Sequence, residues 1–174
     1  MTTLDLRPDC ARCAALCCIG LAFDRSSLFA YDKPAGEPCR HLDGASRCRI
    51  HATLQADGFG GCVAYDCLGA GQHVTQQMFG GRSWRDDPEL LEPMMAALKA
   101  HREVRELMVI LAQARTLPVP AEVRATMDAL VDRLETAALQ TTTHQIGALV
   151  EDARRFLRTL RPFAPRDLTP ARRG

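Results

Sequence analysis

The chain has 174 residues, 47% of them hydrophobic and 25% charged, with a formal net charge of +1. That length holds one compact domain or two small ones, and the near-neutral charge supplies no global field drawing the protein to nucleic acid or to membranes. No stretch approaches the ~18–20 uninterrupted apolar residues of a membrane span, and residues 1–9 lack the apolar core of a secretory signal. The expected address is therefore cytoplasmic, where thiols stay reduced.

All eight cysteines lie between Cys10 and Cys67, and the remaining 107 residues have none. The chain accordingly divides near Trp84. Residues 1–85 read as a Cys-rich metal-binding module, residues 86–161 as a helical bundle, and residues 162–174 as a flexible Pro/Arg tail. The first part has few large apolar residues and many turn signals, such as Lys33-Pro34-Ala35-Gly36 and Gly58-Phe59-Gly60-Gly61. Short helices are expected over 9–21, 47–56 and 64–72. Burial alone is a poor match for the conformational entropy of such a segment. Structural zinc, at roughly 10–16 kcal/mol of apparent binding free energy, matches the whole stability of a small domain.

Helical periodicity takes over at Glu89. Leu90, Met94, Ala97, Val104, Met108 and Leu111 recur on one face, widened by Leu91, Leu98 and Leu107. Asp86 or Asp87 can cap this helix, Pro88 suits its first turn, and Pro118 and Pro120 close the connection after it. A second helix is expected over 120–140, with Val123, Met127, Leu130, Leu134 and Ala138 on one side. A third over 144–160 carries Ile146, Leu149, Val150, Ala153, Phe156, Leu157 and Leu160. Short connections favour antiparallel neighbours. The expected fold class is thus mainly α: an irregular metal-stapled Cys-rich module with short helices, followed by an antiparallel three-helix bundle.

The cysteine pattern is Cys10-x2-Cys13-x3-Cys17-Cys18, then Cys39, Cys48, Cys62 and Cys67. On a helix, at ~100° per residue, Cys10, Cys13 and Cys17 share one face, whereas Cys18 sits about 100° from Cys17 and points elsewhere. Cys18 then serves a second site or the core. His41 and His51 are imidazole candidates for completing a site, and Cys62-x4-Cys67 supplies another pair. One or two thiolate-rich Zn2+ sites are the favoured cofactor. A 4Fe-4S cluster is the alternative, although the ferredoxin spacing is absent.

Two resemblances follow from these residues. Cys10-Ala11-Arg12-Cys13-Ala14-Ala15-Leu16-Cys17-Cys18, Pro38-Cys39-Arg40-His41-Leu42 and Arg47-Cys48-Arg49-Ile50-His51 resemble the YkgJ-type cysteine-cluster family, which implies zinc or iron chelation. Members of that family commonly carry glycine at the place of Ala14 or Ala15, tyrosine at the place of His51, and Arg-Pro where this chain has Gly60-Gly61 before Cys62. Over about residues 9–115 the chain is also similar to the leading module of certain actinobacterial pentapeptide-repeat proteins. That similarity rests on 32–36, on 58–67, and on 69–72 through 79–85. No pentapeptide repeat occurs in these 174 residues.

The remaining motifs carry less. Gly69-Ala70-Gly71-Gln72-His73 and Gly80-Gly81-Arg82 lack the strand, helix and Lys-Ser/Thr of a phosphate cradle and read as turns. His101, on the apolar stripe, reads as a satisfied core histidine, with a ligand role beside His73 as the alternative. Trp84 is expected at the junction of the two halves. Arg154, Arg155, Arg158, Arg161, Arg166, Arg172 and Arg173 form a basic patch that a solvated helix face explains; a nucleic-acid-associated regulator is the alternative. Asp57 and Asp66 are candidate bases, but no nucleophile–base pair is legible. The function expected is that of an accessory or interaction module rather than an enzyme, with a protein partner or a second copy docking on the helical bundle.

Overall fold

The computed structural model describes residues 4–140, 142–143 and 146–164. Among these the chain is mainly helical and has no strand; two isolated antiparallel bridges, Phe23–Lys33 and Leu42–Cys48, are the extended pairings. The first helical turn is a 3-10 turn, Cys10–Arg12, capped by the Asp9 side chain at the Ala11 N–H. The helices α1 (Leu16–Gly20), α2 (Gly60–Ala64) and α3 (Ala70–His73) are short. A π turn, Val74–Met78, continues α3.

The expected helix over 9–21 is broken because Ala15 takes a left-handed conformation, φ 55° and ψ 38°, and becomes the N-cap of α1. Residues 47–56 form successive turns instead of a helix. Over 64–72 the chain leaves α2 at Tyr65 and re-enters helix only at Ala70, after Leu68 and Gly69 adopt positive φ.

The long helices match their periodicity. Asp87 accepts from the Glu89 N–H, Pro88 opens a 3-10 turn, and α4 runs Leu91–Ala114. α5 spans Ala121–Leu139 and α6 spans Ile146–Thr159. The expected helix start at His144, and the tail from 165 with Arg166, Arg172 and Arg173, lie outside the described residues. Within α6, Arg154 pairs with Glu103 and Glu151, while Arg155 and Arg133 reach Asp152. Those pairs fit an ion-paired solvated face.

Two apolar clusters share α4. Val104, Leu107, Met108 and Leu111 join α5 and α6 through Met127, Leu130, Val131, Leu134, Ile146, Val150 and Ala153. The earlier turns of α4 bring Met94, Ala97 and Leu98 against Ala14, Leu16, Ile19, Ala70, Val74 and Trp84 of the Cys-rich segment. Trp84 occupies the expected junction: its indole N–H donates to the Ala14 carbonyl at 2.7 Å.

Between the clusters, α4 presents two buried polar groups. His101 is 0% exposed and Arg105 1% exposed. The His101 ring stands 4.7 Å from that of His73, and neither of its nitrogens has a hydrogen-bond partner. It is a core histidine, as one of the two sequence readings has it, but not a satisfied one. Arg105 donates to the carbonyls of His101 and Ala138, the latter in the last turn of α5, and its Nε is unpartnered.

Two outcomes follow. Leu134→Ala, at a fully buried position shared by α4, α5 and α6, lowers stability by about 2–5 kcal/mol through lost burial and a residual cavity, read by urea unfolding. Acid also destabilises the fold. Burial, then His73 and Arg105, push the His101 pKa down to about 4, and burial lowers His73 and His41 as well. The unfolded chain, with histidines near ~6.5, then binds more protons than the folded one between about pH 6.5 and 4, so stability falls as pH falls through that window. The urea midpoint drops between about pH 7 and pH 5, and drops less in His101→Leu.

Candidate metal centre

The cysteine segment is positioned by side chains that satisfy its backbone. Around the break at Ala15, the Ala14 N–H donates to Thr75 Oγ1 at 3.0 Å, and Thr75 donates in turn to the Gly71 carbonyl at 2.9 Å. With Trp84 on the Ala14 carbonyl, both backbone groups of that buried residue are paired, as burial requires. Gln72 accepts from the Asp9 N–H and donates to the Arg7 carbonyl, and Gln76 donates to the Arg12 carbonyl. The stretch 7–14 is thereby laid along α3 and the π turn.

The opposite wall is a loop closed on itself. The Phe23–Lys33 pairing holds Phe23, Phe29 and Tyr31 together with Phe59 and His41; Phe23 and Phe29 stack at 4.3 Å, and His41 meets Phe59 edge-on at 5.1 Å. Lys33, 4% exposed, threads its ammonium inward to the carbonyls of Ile19, Pro34 and Glu37 at 3.1, 2.9 and 2.8 Å. The Cys39 N–H donates to the Cys18 carbonyl at 3.0 Å, which ties this loop to α1.

Between these walls lies a cavity of about 200 Å3, lined by Cys10, Cys13, Cys17, Cys18, Cys39, Cys48, Cys62 and Cys67 together with His41 and His51. Residues separated by up to 57 positions thus reach one space. All eight thiols are free of disulfides. The sulfurs of Cys17 and Cys18 are 3.9 Å apart. Cys18 nevertheless lines the same cavity as Cys17, although the two are adjacent residues of α1. A larger groove of about 790 Å3 runs beside α4, past Leu21, Tyr65, Met95 and Arg102, and contains no cysteine.

Five of the eight thiols are raised above their ordinary range. Cys10, Cys13 and Cys62 are pushed up to about 11, chiefly by desolvation, and Cys48 rises for the same reason. Cys17 rises most, through its contact with Cys18 and then burial. Desolvation, then Cys39, lifts Tyr31 to about 12; its hydroxyl lies 3.1 Å from Cys39 Sγ. The shift favours the protonated form of Cys10, Cys13, Cys17, Cys48 and Cys62.

Among the described residues, no three His, Cys, Asp or Glu side chains already surround a common point at metal-ligand geometry. The donors nonetheless suit a thiophilic cation. They are soft sulfurs converging on an enclosed space. Gly71 leaves open a volume where a Cβ would come within 2.8 Å of Cys13 Sγ and 3.7 Å of Cys67 Sγ. His41, in the cavity wall, has a buried Nε2 without a hydrogen-bond partner. His51 is exposed at the rim.

Periodicity and spacing gave no signal for Thr75, Gln72 and Gln76, which act through single long-range bonds. Lys33 had one available: it is one of two lysines beside twenty arginines.

In comparisons with known proteins, the chain is 38% identical over 128 residues to a Bacillus subtilis (strain 168) protein named "Uncharacterized protein YybG". The match takes in 71% of this chain and 46% of that protein, so the chain spans about half of its relative's length. No family model matches, and no solved structure matches.

Gly71→Ala tests the space beside the sulfurs. Alanine normally stabilises a helix interior by about 1 kcal/mol over glycine. Here it costs about 1–3 kcal/mol through overcrowding and turns Cys13 away, so Cys13 reacts faster with a thiol reagent. A stability gain would show that the gap is not needed.

Proposed function

We propose that this protein is a metal-binding cysteine-cluster module of the cytoplasm, with zinc the favoured ion, acting as an accessory or interaction protein. The observation that carries this is the convergence of eight free cysteines on one cavity in a segment with little apolar core. His41 is a further donor at the cavity wall. When bound, zinc supplies four-coordinate thiolate bonding and with it folding free energy. The chain's own residues do the rest. Thr75, Trp84 and Gln72 orient the 7–17 stretch, Gly71 leaves room for sulfur, and the Phe23, Phe29, Phe59 and Tyr65 walls exclude water. Eight thiols are enough to close two sites without an open position for substrate, which favours a structural role over catalysis. The three long helices, arranged as an antiparallel bundle, are the surface on which a protein partner or a second copy docks.

The same all-sulfur lining suits an iron–sulfur cluster, and this is the second reading. Elemental analysis of protein prepared without chelator separates them. At least one equivalent of zinc in a colourless protein is expected. Brown protein with iron and sulfide in equal amounts supports the cluster instead, and less than one equivalent of any metal ends both. Because the thiols must lose protons to bind, metal is retained at neutral pH and released on acidification.

A further inference from the structure

The eight thiols do not line the cavity evenly. A recess of about 20 Å3 is walled by Cys10, Cys13, Cys17 and Cys67, beside Gly71 and Leu98, and by none of the other four. Cys13 and Cys67 both approach the volume left open by Gly71. Cys18, Cys39, Cys48 and Cys62 line the main cavity without reaching this recess. Cys39 is bonded through its N–H to the Cys18 carbonyl and lies under the Tyr31 hydroxyl. Cys48 is held by its bridge to Leu42, and the Cys62 N–H donates to the Phe59 carbonyl. The two sets meet at the Cys17–Cys18 peptide, whose sulfurs are 3.9 Å apart.

A buried cation accompanies each set. Among the described residues Arg105 makes no ion pair with a carboxylate; the anion-forming group that acts on it is Cys67, of the first set. Lys33 is held by three carbonyls, and the anion-forming groups that act on it are Cys39 and Cys18 of the second set, the Glu37 carboxylate, and Cys17 of the first set. A buried cation without a counter-ion is expensive. Four thiolates around a divalent ion leave a net negative centre, so one such centre on each side supplies a counter-charge for Arg105 and for Lys33.

The geometry points to two ion positions: Cys10, Cys13, Cys17 and Cys67 hold one divalent ion, and Cys18, Cys39, Cys48 and Cys62 hold a second. This rests on the metal-binding function proposed above and deepens it. A tetrahedral ion accepts four sulfurs at ~2.3 Å, ~3.8 Å apart, so eight cannot share one ion; Cys17 and Cys18, 3.9 Å apart, also meet that spacing, and the recess wall, which includes Cys17 and not Cys18, assigns them to different positions. Each ion displaces the protons of its four thiols to solvent. With the sets joined at Cys17 and Cys18, the two ions lie within ~9 Å of each other.

The test uses the full chain loaded with NMR-active cadmium. Two equivalents and two cadmium resonances are expected, each coupled to the Cβ protons of its own four cysteines. Couplings that mix the sets, His41 coupled in place of Cys18, or a single resonance from one bound ion would overturn the division while leaving metal binding in place. No uptake at all would remove the metal-binding function with it. Paired variants give a second reading by elemental analysis. Cys10→Ser with Cys67→Ser is expected to lose half the zinc, and Cys39→Ser with Cys62→Ser to lose the other half. Loss of all metal from folded protein in either pair overturns two independent positions.

Discussion

Between residues 4 and 85 the buried apolar side chains are Ala14, Ala15, Leu16, Ile19, Leu42, Phe59, Ala70, Val74 and Trp84, three of them alanines. So small an interior offsets only part of the entropy of ordering some eighty residues. Shape in this segment is imposed by other means: single long-range hydrogen bonds from Thr75, Trp84 and Gln72 to the backbone near Ala14, the buried Lys33 ammonium gathering three carbonyls, and borrowed apolar surface from α4. What these devices jointly produce is a set of cysteines lining one cavity, Cys10 and Cys62 at exposed positions. A cation bound among those sulfurs would add the cohesion that burial leaves short, and would do so where the protein otherwise stores desolvated thiols and unpaired cations.

α4 carries the rest of the arrangement. Its first turns complete the cluster beneath α1 and α3, and its later turns form the core shared with α5 and α6. At the crossover sit His101 and Arg105, buried polar groups that a core of the same size could fill with apolar residues. Arg105 closes the C-terminal end of α5 at Ala138, and Cys67 is the anion-forming group that acts on it. One rigid helix therefore couples the cysteine segment to the helical half, and any change that shifts α4 is felt at Cys67.

The sequence by itself determined α4, α5 and α6, because apolar residues at helical spacing state which face is to be buried, and Asp87, Pro88 and Pro120 state where the chain turns. It also determined that the cysteines are concentrated in one segment and that His41 stands among them. It misplaced the short elements: one left-handed residue, Ala15, breaks a helix that local pattern favours, and residues 47–56 turn repeatedly because the loop is held by Cys39, Leu42 and Cys48 rather than by its own propensity. Only the tertiary structure decided that Cys18 faces the same space as Cys17, that His101 lies unsatisfied against His73, and that Lys33 and Arg105 are buried. Each of these depends on which distant backbone or side chain arrives as a neighbour. Periodicity reports burial along one element; it holds no record of partners contributed by another.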